Sequence, residues 1–233
     1  MDLLINSTLE AFRLLFSGDA EIWEIVGISF RVSSLAIALA VPPALLIAFA
    51  LAYGNFPGRR FLISIFNTFL SVPAVVIGLT LFILLSRQGP LGDFKLLFTQ
   101  TAMMIGQFFL CLPILISMAH AAFQSADRSA WETARTLGAS PIYAFFTLVF
   151  EIRFGIMAAM LAGYGRIISE VGASMMLGGN IAHYTRNIPT AIALETSKGA
   201  FAEGIALGAV LLFLAFVLNA LLQYVQGRGS INP

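Results

Sequence analysis

The chain has 233 residues and a formal net charge of +1; 59% of its residues are hydrophobic, 11% are charged, and Phe alone occurs 21 times. Soluble domains carry about a quarter charged residues, and a globular core of this length cannot bury so much apolar surface, so lipid must cover part of it. The near-neutral balance speaks against a nucleic-acid partner, which needs a clustered basic face. The single cysteine, Cys111, rules out a disulfide within the chain and reads as a small buried hydrophobe.

The N-terminus lacks the basic region and small-residue cleavage site of a secretory signal. From Leu4 to Phe16, Ile5, Leu9, Phe12 and Phe16 recur at three-to-four spacing and form one apolar stripe. The stretch is too short to cross a bilayer, so residues 1–22 are expected to form an N-terminal segment whose helix lies in the membrane interface.

Five runs can then span: Val32–Tyr53, Phe61–Ser86, Leu96–Ala126, about Phe154–Gly178, and Gly204–Gly227. Each reaches the roughly 20 residues that a helix needs to cross the hydrocarbon. They lack the period-2 alternation of barrel strands and are twice as long. The expected fold is therefore an all-α integral membrane protein of about five transmembrane helices in one domain over residues 1–233.

With five spans, the turn at 54–60, the loop at 127–153 and the C-terminus share one side. That side carries Arg59, Arg60, Arg128, Arg135, Arg153 and Arg228, tightly clustered at span ends, which places it in the cytoplasm. The N-terminus then lies outside. Four prolines, Pro42, Pro43, Pro73 and Pro113, fall inside spans, where each removes a backbone hydrogen bond and tends to kink the helix. Pro73, within Ser71-Val-Pro-Ala74, is the preferred gate-region candidate.

The most informative loop contains Ser129-Ala-Trp-Glu-Thr-Ala-Arg-Thr-Leu-Gly-Ala-Ser-Pro141. It predicts a helix from about Ala130 to Leu137, stopped by Gly138, and a second short helix opened by Pro141. The loop also holds Trp131, Phe145 and Phe146, which a merely solvated connection does not need. Two short helices with apolar and charged faces make a knob suited to a cleft in another protein.

The residues Glu132-Thr-Ala134, three further residues and Gly138 resemble the EAA loop of ABC importer permeases. Against that family's pattern this chain has Thr133 for the first Ala, Leu148 for Ile, and Phe150-Glu151 for Leu-Pro. The resemblance implies that residues 127–150 form a cytoplasmic coupling loop docked in a groove of a separate ATPase. Glu132, Ala134, Gly138, Ala139, Ser140 and Pro141 would be its ATPase-coupling residues. It further implies a homodimeric pore, an extracytoplasmic binding protein and a prokaryotic inner membrane. The chain itself has no Gly-x-x-x-x-Gly-Lys-Ser/Thr, and its only lysines are Lys95 and Lys198, so no nucleotide or other cofactor is expected on it and ATP–Mg belongs to the partner.

Arg166 and Glu170 sit four apart inside the fourth run, where ionisable groups are expensive and face a bundle interior or a wet path. Counting about 1.5 Å per residue from Glu151 puts Arg166 roughly 22 Å along. The two are pore or gate candidates, and a self-neutralising structural pair is the equal alternative. Gly155, Ala158, Ala159, Ala162, Gly163 and Gly165 allow close helix packing around them.

The stretch Gly165-Arg-Ile-Ile-Ser-Glu170-Val-Gly-Ala173, with Gly178-Gly-Asn180 and Tyr184-Thr-Arg186, is similar to the tungstate/molybdate permease branch. Thr190-Ala-Ile-Ala-Leu-Glu-Thr-Ser-Lys-Gly199 looks closer to tungstate permeases. The resemblance runs over roughly residues 23–226 and implies oxyanion import, with molybdate or sulfate open as substrates. Three rival classes remain, the third a sensor or assembly protein whose deletion would cost no transport. A membrane-embedded enzyme or metal site is poorly served by His120 and His183, the only histidines, which fall on opposite sides of the membrane. An ion-gradient-driven secondary transporter commonly shows two related halves with paired broken helices, which an odd span count does not suggest.

Overall fold

The computed structural model describes residues 19–126 and 128–227. The expected interfacial helix at Leu4–Phe16 lies outside the described residues, as does Arg228. Among the described residues the chain is helical apart from turns and one short 3-10 segment, Gly92–Phe94.

Helix α1 runs from Ala20 to Tyr53 and begins earlier than the uncharged run. Asp19 caps it by accepting from the Glu21 backbone N–H at 2.8 Å. Pro42 and Pro43 are carried inside it. Helix α4, Gln100–Ser125, is the other long unbroken helix, and both are long and apolar enough to cross a membrane. They lie side by side in the same direction: Ile28 and Val32 pack with Met103 at one end, and Ala48 and Ala52 pack with Ala119 and Phe123 at the other.

What lets them approach is a stripe of small residues. Ala36, Ala40, Ala44, Ala48 and Ala52 recur every four residues along α1 and are all buried. Lipid tails are as apolar as the side chains they would replace, so helix association in a bilayer depends on such close packing rather than on expulsion of water. Helix α7, Arg153–Ile168, runs back along α4, with Gly163 against Leu115, Cys111 and Ile37.

Two further apolar segments are bent helix pairs. Helices α2, Arg59–Phe69, and α3, Ala74–Leu85, meet at 100°. The apolar run Phe61–Ser86 is therefore not one straight helix. Ser71 N–H donates to Thr68 at 3.0 Å and Val76 N–H to Pro73 at 2.9 Å, so the break keeps local backbone partners, as a lipid-surrounded segment must. Helix α6, Pro141–Glu151, meets α7 at 72°. Counting each bent pair as one span gives up to four, and the final helix α10, Phe201–Gly227, carries a further apolar stretch over Phe201–Val217. Exposed Leu39, Leu46, Phe61, Ile83, Leu212 and Phe216 are the surfaces that lipid or another subunit would cover.

The fourth run also breaks. Helix α7 ends at Ile168, and a short helix α8, Gly172–Gly178, follows after three residues. Helix α9, Ile188–Lys198, is held at its start by an Asn187–Thr190 capping box, and the Ile188 N–H donates to Ser29 Oγ of α1 at 2.7 Å. Gln100 of α4 donates to the Tyr184 carbonyl at 2.7 Å, so the starts of α1 and α4 and the 179–187 turn share one end of the bundle.

Candidate functional site

Three features sit at different heights along the bundle: the knob at one end, a pair of facing helix breaks within it, and a set of ion pairs at the other end.

The knob is made of α5, Arg128–Thr136, and α6. Its turn has a defined bonding pattern. Gly138 takes φ +87°, its N–H donates to Arg135 at 3.1 Å, and the Ala139 N–H donates to Ala134 at 2.9 Å. This is the paired closure that a left-handed residue just past a helix end permits. The Arg135 guanidinium then donates to the Ala139 carbonyl at 2.8 Å. Ser140 caps α6 by accepting from Tyr143 N–H, and Pro141 fills the first turn. Of the six predicted coupling residues, Ala134, Gly138, Ala139, Ser140 and Pro141 thus shape the turn, and Glu132 is exposed. A Cβ on Gly138 would meet nothing within 4 Å, so the demand for glycine comes from its backbone angle alone.

The knob leaves large apolar side chains bare. Leu137 is 83% exposed, Tyr143 76% and Ile142 69%, and Phe146 and Phe150 are exposed too. Its opposite side is anchored: Ala144 and Leu148 are fully buried, and Trp131 and Phe145 pack onto Phe49 at ring distances of 5.3 and 5.1 Å. The sequence signalled the loop's aromatics but not their partners Phe49, Tyr53 and Phe123, which come from α1 and α4. Phe49 and Tyr53 stand four apart at the end of α1, a spacing that could have pointed to them.

Arg166 and Glu170 do meet. The guanidinium donates to the Glu170 carboxylate at 2.7 Å, with Arg166 43% exposed and Glu170 only 8%. They are not on one continuous helix, because α7 stops at Ile168. Glu170 instead lies in the break, where its other oxygen accepts from the Ala173 N–H at 3.3 Å and ties the start of α8. Gln107 of α4 donates to the Ile167 carbonyl at 3.3 Å, beside the Glu170 N–H that donates to the same oxygen at 3.2 Å, so α4 is tied directly to the break.

Pro73 belongs to the same region. It caps α3 at the 100° bend, and the next turn of α3 presses on α8. A Cβ on Gly172 would come within 2.8 Å of Val75, and one on Gly78 within 2.9 Å of Ala173. The structure thus brings two helix breaks, one opened by Pro73 and one occupied by Glu170, against each other through glycines. The sequence marks Pro73, Arg166 and Glu170 separately; Gly78 and Gly172, which let the breaks touch, carry no local signal of that role. Beside them an apolar groove of about 430 Å³ opens between the bent pair and α4, lined by Phe66, Phe69, Val76, Phe109 and Pro113.

At the far end, His183 Nδ1 pairs with the Glu24 carboxylate at 2.7 Å, and Arg186 donates to Glu21 at 3.2 Å. The hydrogen bond and charge of Glu24 raise the His183 pKa above its ordinary 6.5. His120 is instead buried beside the Leu51 carbonyl and Arg59 at the end of α1. The two histidines are therefore at opposite ends of one 34-residue helix. Among the described residues no cluster of three His, Cys, Asp or Glu side chains could hold a metal ion.

Residues 40–228 match the family described as "Binding-protein-dependent transport system inner membrane component". The chain is 39% identical over 94% of its length to the tungstate uptake system permease protein TupB of Campylobacter jejuni, 92% of which is covered. It is 34% identical over 97% of its length to TupB of Peptoclostridium acidaminophilum, covering 99% of that protein. The molybdenum transport system permease protein ModB of Escherichia coli is further away, at 29% identity over 73% of this chain and 78% of its own. A solved bacterial alginate ABC transporter shares the fold, with a TM-score of 0.72 at 17% identity over 95% of this chain and 83% of that one. This chain belongs to the binding-protein-dependent transport system inner membrane components and is the permease subunit of an ABC importer.

Proposed function

We propose that this chain forms the translocation pore of an ATP-driven tungstate importer. It would work as a homodimer in a prokaryotic inner membrane, with a cytoplasmic ATPase pair below and an extracytoplasmic oxyanion-binding protein above. The observation that carries the coupling part is the knob: a glycine-closed helical turn, anchored to the spans on one side and baring Leu137, Ile142 and Tyr143 on the other. An exposed apolar face beside a charged Glu132 suits a groove in a partner protein. ATP-driven closure of that partner would move the groove and with it the knob. ATP and Mg belong to the ATPase, and this chain performs no chemistry on them.

The facing breaks at Pro73 and Glu170 are the pore candidates. An arginine is chemically suited to a tetrahedral dianion, because its planar fork offers paired donors. Here Glu170 already occupies Arg166. An oxyanion arriving at Arg166 would have to compete with that carboxylate, which favours passage over tight retention. Tungstate as the cargo rests on the likeness to the two TupB proteins and on the 165–199 stretch.

Cellular tungsten and molybdenum, measured by elemental mass spectrometry with and without this subunit at equal trace supply, test the proposal. Loss of tungsten alone supports it. Loss of both metals widens the cargo to related oxyanions, and no change in either removes the substrate assignment.

A further inference from the structure

The knob raises a mechanical question that its docking face does not answer: how motion of α5 reaches the spans. Helix α5 reads Arg-Ser-Ala-Trp-Glu-Thr-Ala-Arg-Thr, so Trp131 is its one large apolar side chain. That ring does not join the exposed face with Leu137. It turns the other way, 5.3 Å from Phe49 and 5.7 Å from Tyr53, both in the last turns of α1. Phe49 also touches Phe145 of α6 at 5.1 Å, and Phe123 near the end of α4 lies 5.6 Å from Phe49. Rings from four helices therefore close into one cluster.

The same end of α1 is tied onward to the first bent pair. Arg59, the first residue of α2, donates through Nε to the Leu51 carbonyl and through Nη2 to the Ala52 carbonyl at 3.2 Å. A shift of Tyr53 must therefore carry Arg59 and the start of α2 with it. Helix α2 leads to the break before Pro73, which rests near the Glu170 break through α3 and α8. Packed rings and charge-assisted hydrogen bonds move as units, because close-packed contacts do not deform smoothly.

We propose that Trp131 is the transmission contact of this permease. It locks the coupling loop to the end of α1, so that movement of the loop drives α1 and, through Arg59, the broken helices of the pore. Trp131 is a positioning residue, facing away from the ATPase. The proposal rests on the coupling reading above and adds to it the route inside the membrane.

The test is the ratio of tungstate delivered to ATP hydrolysed by the full complex in vesicles, for wild type, Trp131→Ala and Trp131→Phe. Trp131→Ala keeps its ATPase bound and hydrolysing but delivers about tenfold less tungstate per ATP, a loss within the range of mutations along coupling networks. Trp131→Phe, which restores a ring, recovers most of the ratio and shows that the loss is not misfolding. An unchanged ratio in Trp131→Ala overturns the proposal while leaving the docking face intact. Loss of bound ATPase in proportion to lost uptake also overturns it, since Trp131 would then be a docking residue. Failure of the wild-type chain to hold any ATPase overturns the coupling reading itself, and the proposal with it.

Discussion

The two ends of α1 are built from different chemistry. At its last turns the contacts are rings: Phe49 and Tyr53 against Trp131, Phe123 and Phe145. At its first turns Ile22, Ile25 and Val26 pack on Ile188, Ala191 and Leu207, and the polar side adds ion pairs: Glu24 with His183 and Glu21 with Arg186, on exposed or partly exposed side chains. Ring packing is directional, insensitive to salt and indifferent to pH. Exposed ion pairs contribute little and are screened. The ring end suits a contact that must hold through every cycle of a moving partner. The ion end suits a surface whose links can be exchanged when another charged protein arrives.

The largest effect is expected at the knob. Gly138→Val should abolish uptake while the protein stays in the membrane, because a β-branched residue cannot hold φ +87° without strain of about 1–3 kcal/mol. Gly199 supplies the matched control at the other end. It takes φ +81°, it also has open space around a would-be Cβ, and it closes α9 with the same paired bonds, Gly199 to Thr196 and Ala200 to Glu195. Gly199→Val should cost similar stability yet keep uptake per folded molecule. Equal loss of uptake in both would erase the distinction between the ends.

A middle-sized effect is expected at the breaks. Arg166→Gln removes the charged partner of a carboxylate that is only 8% exposed. The expected destabilisation is about 1–3 kcal/mol, toward the lower part because Arg166 itself is half-exposed. Adding Glu170→Gln should restore much of it, since no unpaired charge remains. Thermal unfolding of the single and double variants in detergent decides this, and equal melting temperatures would show that the pair does not hold the break.

The smallest effect belongs to the ion end. The pKa of His183 is raised by Glu24, so its contribution is complete below the ordinary value of 6.5 and is lost as pH rises through the raised one. Glu24→Gln should return the His183 titration, followed by NMR, toward 6.5. Raised pH or salt should loosen this end and, in a Trp23→Phe background, leave Trp131 fluorescence unchanged. A Trp131 response to His183 titration would mean that the two ends are not independent.

The parts legible in the sequence were those with local signals. Long apolar runs announced membrane helices, and Gly138 with Pro141 marked a turn between two short ones, seen at α5 and α6. The 100° bend was less visible because the run from Phe61 to Ser86 is apolar throughout, and only Ser71 and Pro73 hint that the helix stops. The spacing of Arg166 and Glu170 predicts one helix face, but the helix stops at Ile168 and Glu170 bonds the Ala173 N–H at the start of the next one. The ring cluster was least legible of all. Phe49 and Trp131 are far apart in sequence, and nothing local to either predicts the other.

The most direct test of the proposed import is tungstate uptake into vesicles containing this chain with the proposed ATPase and oxyanion-binding partners. ATP-coupled import gives accumulation only when ATP is supplied on the ATPase side, and Gly138→Val gives none. Accumulation that an ion gradient drives in the absence of the ATPase would contradict it.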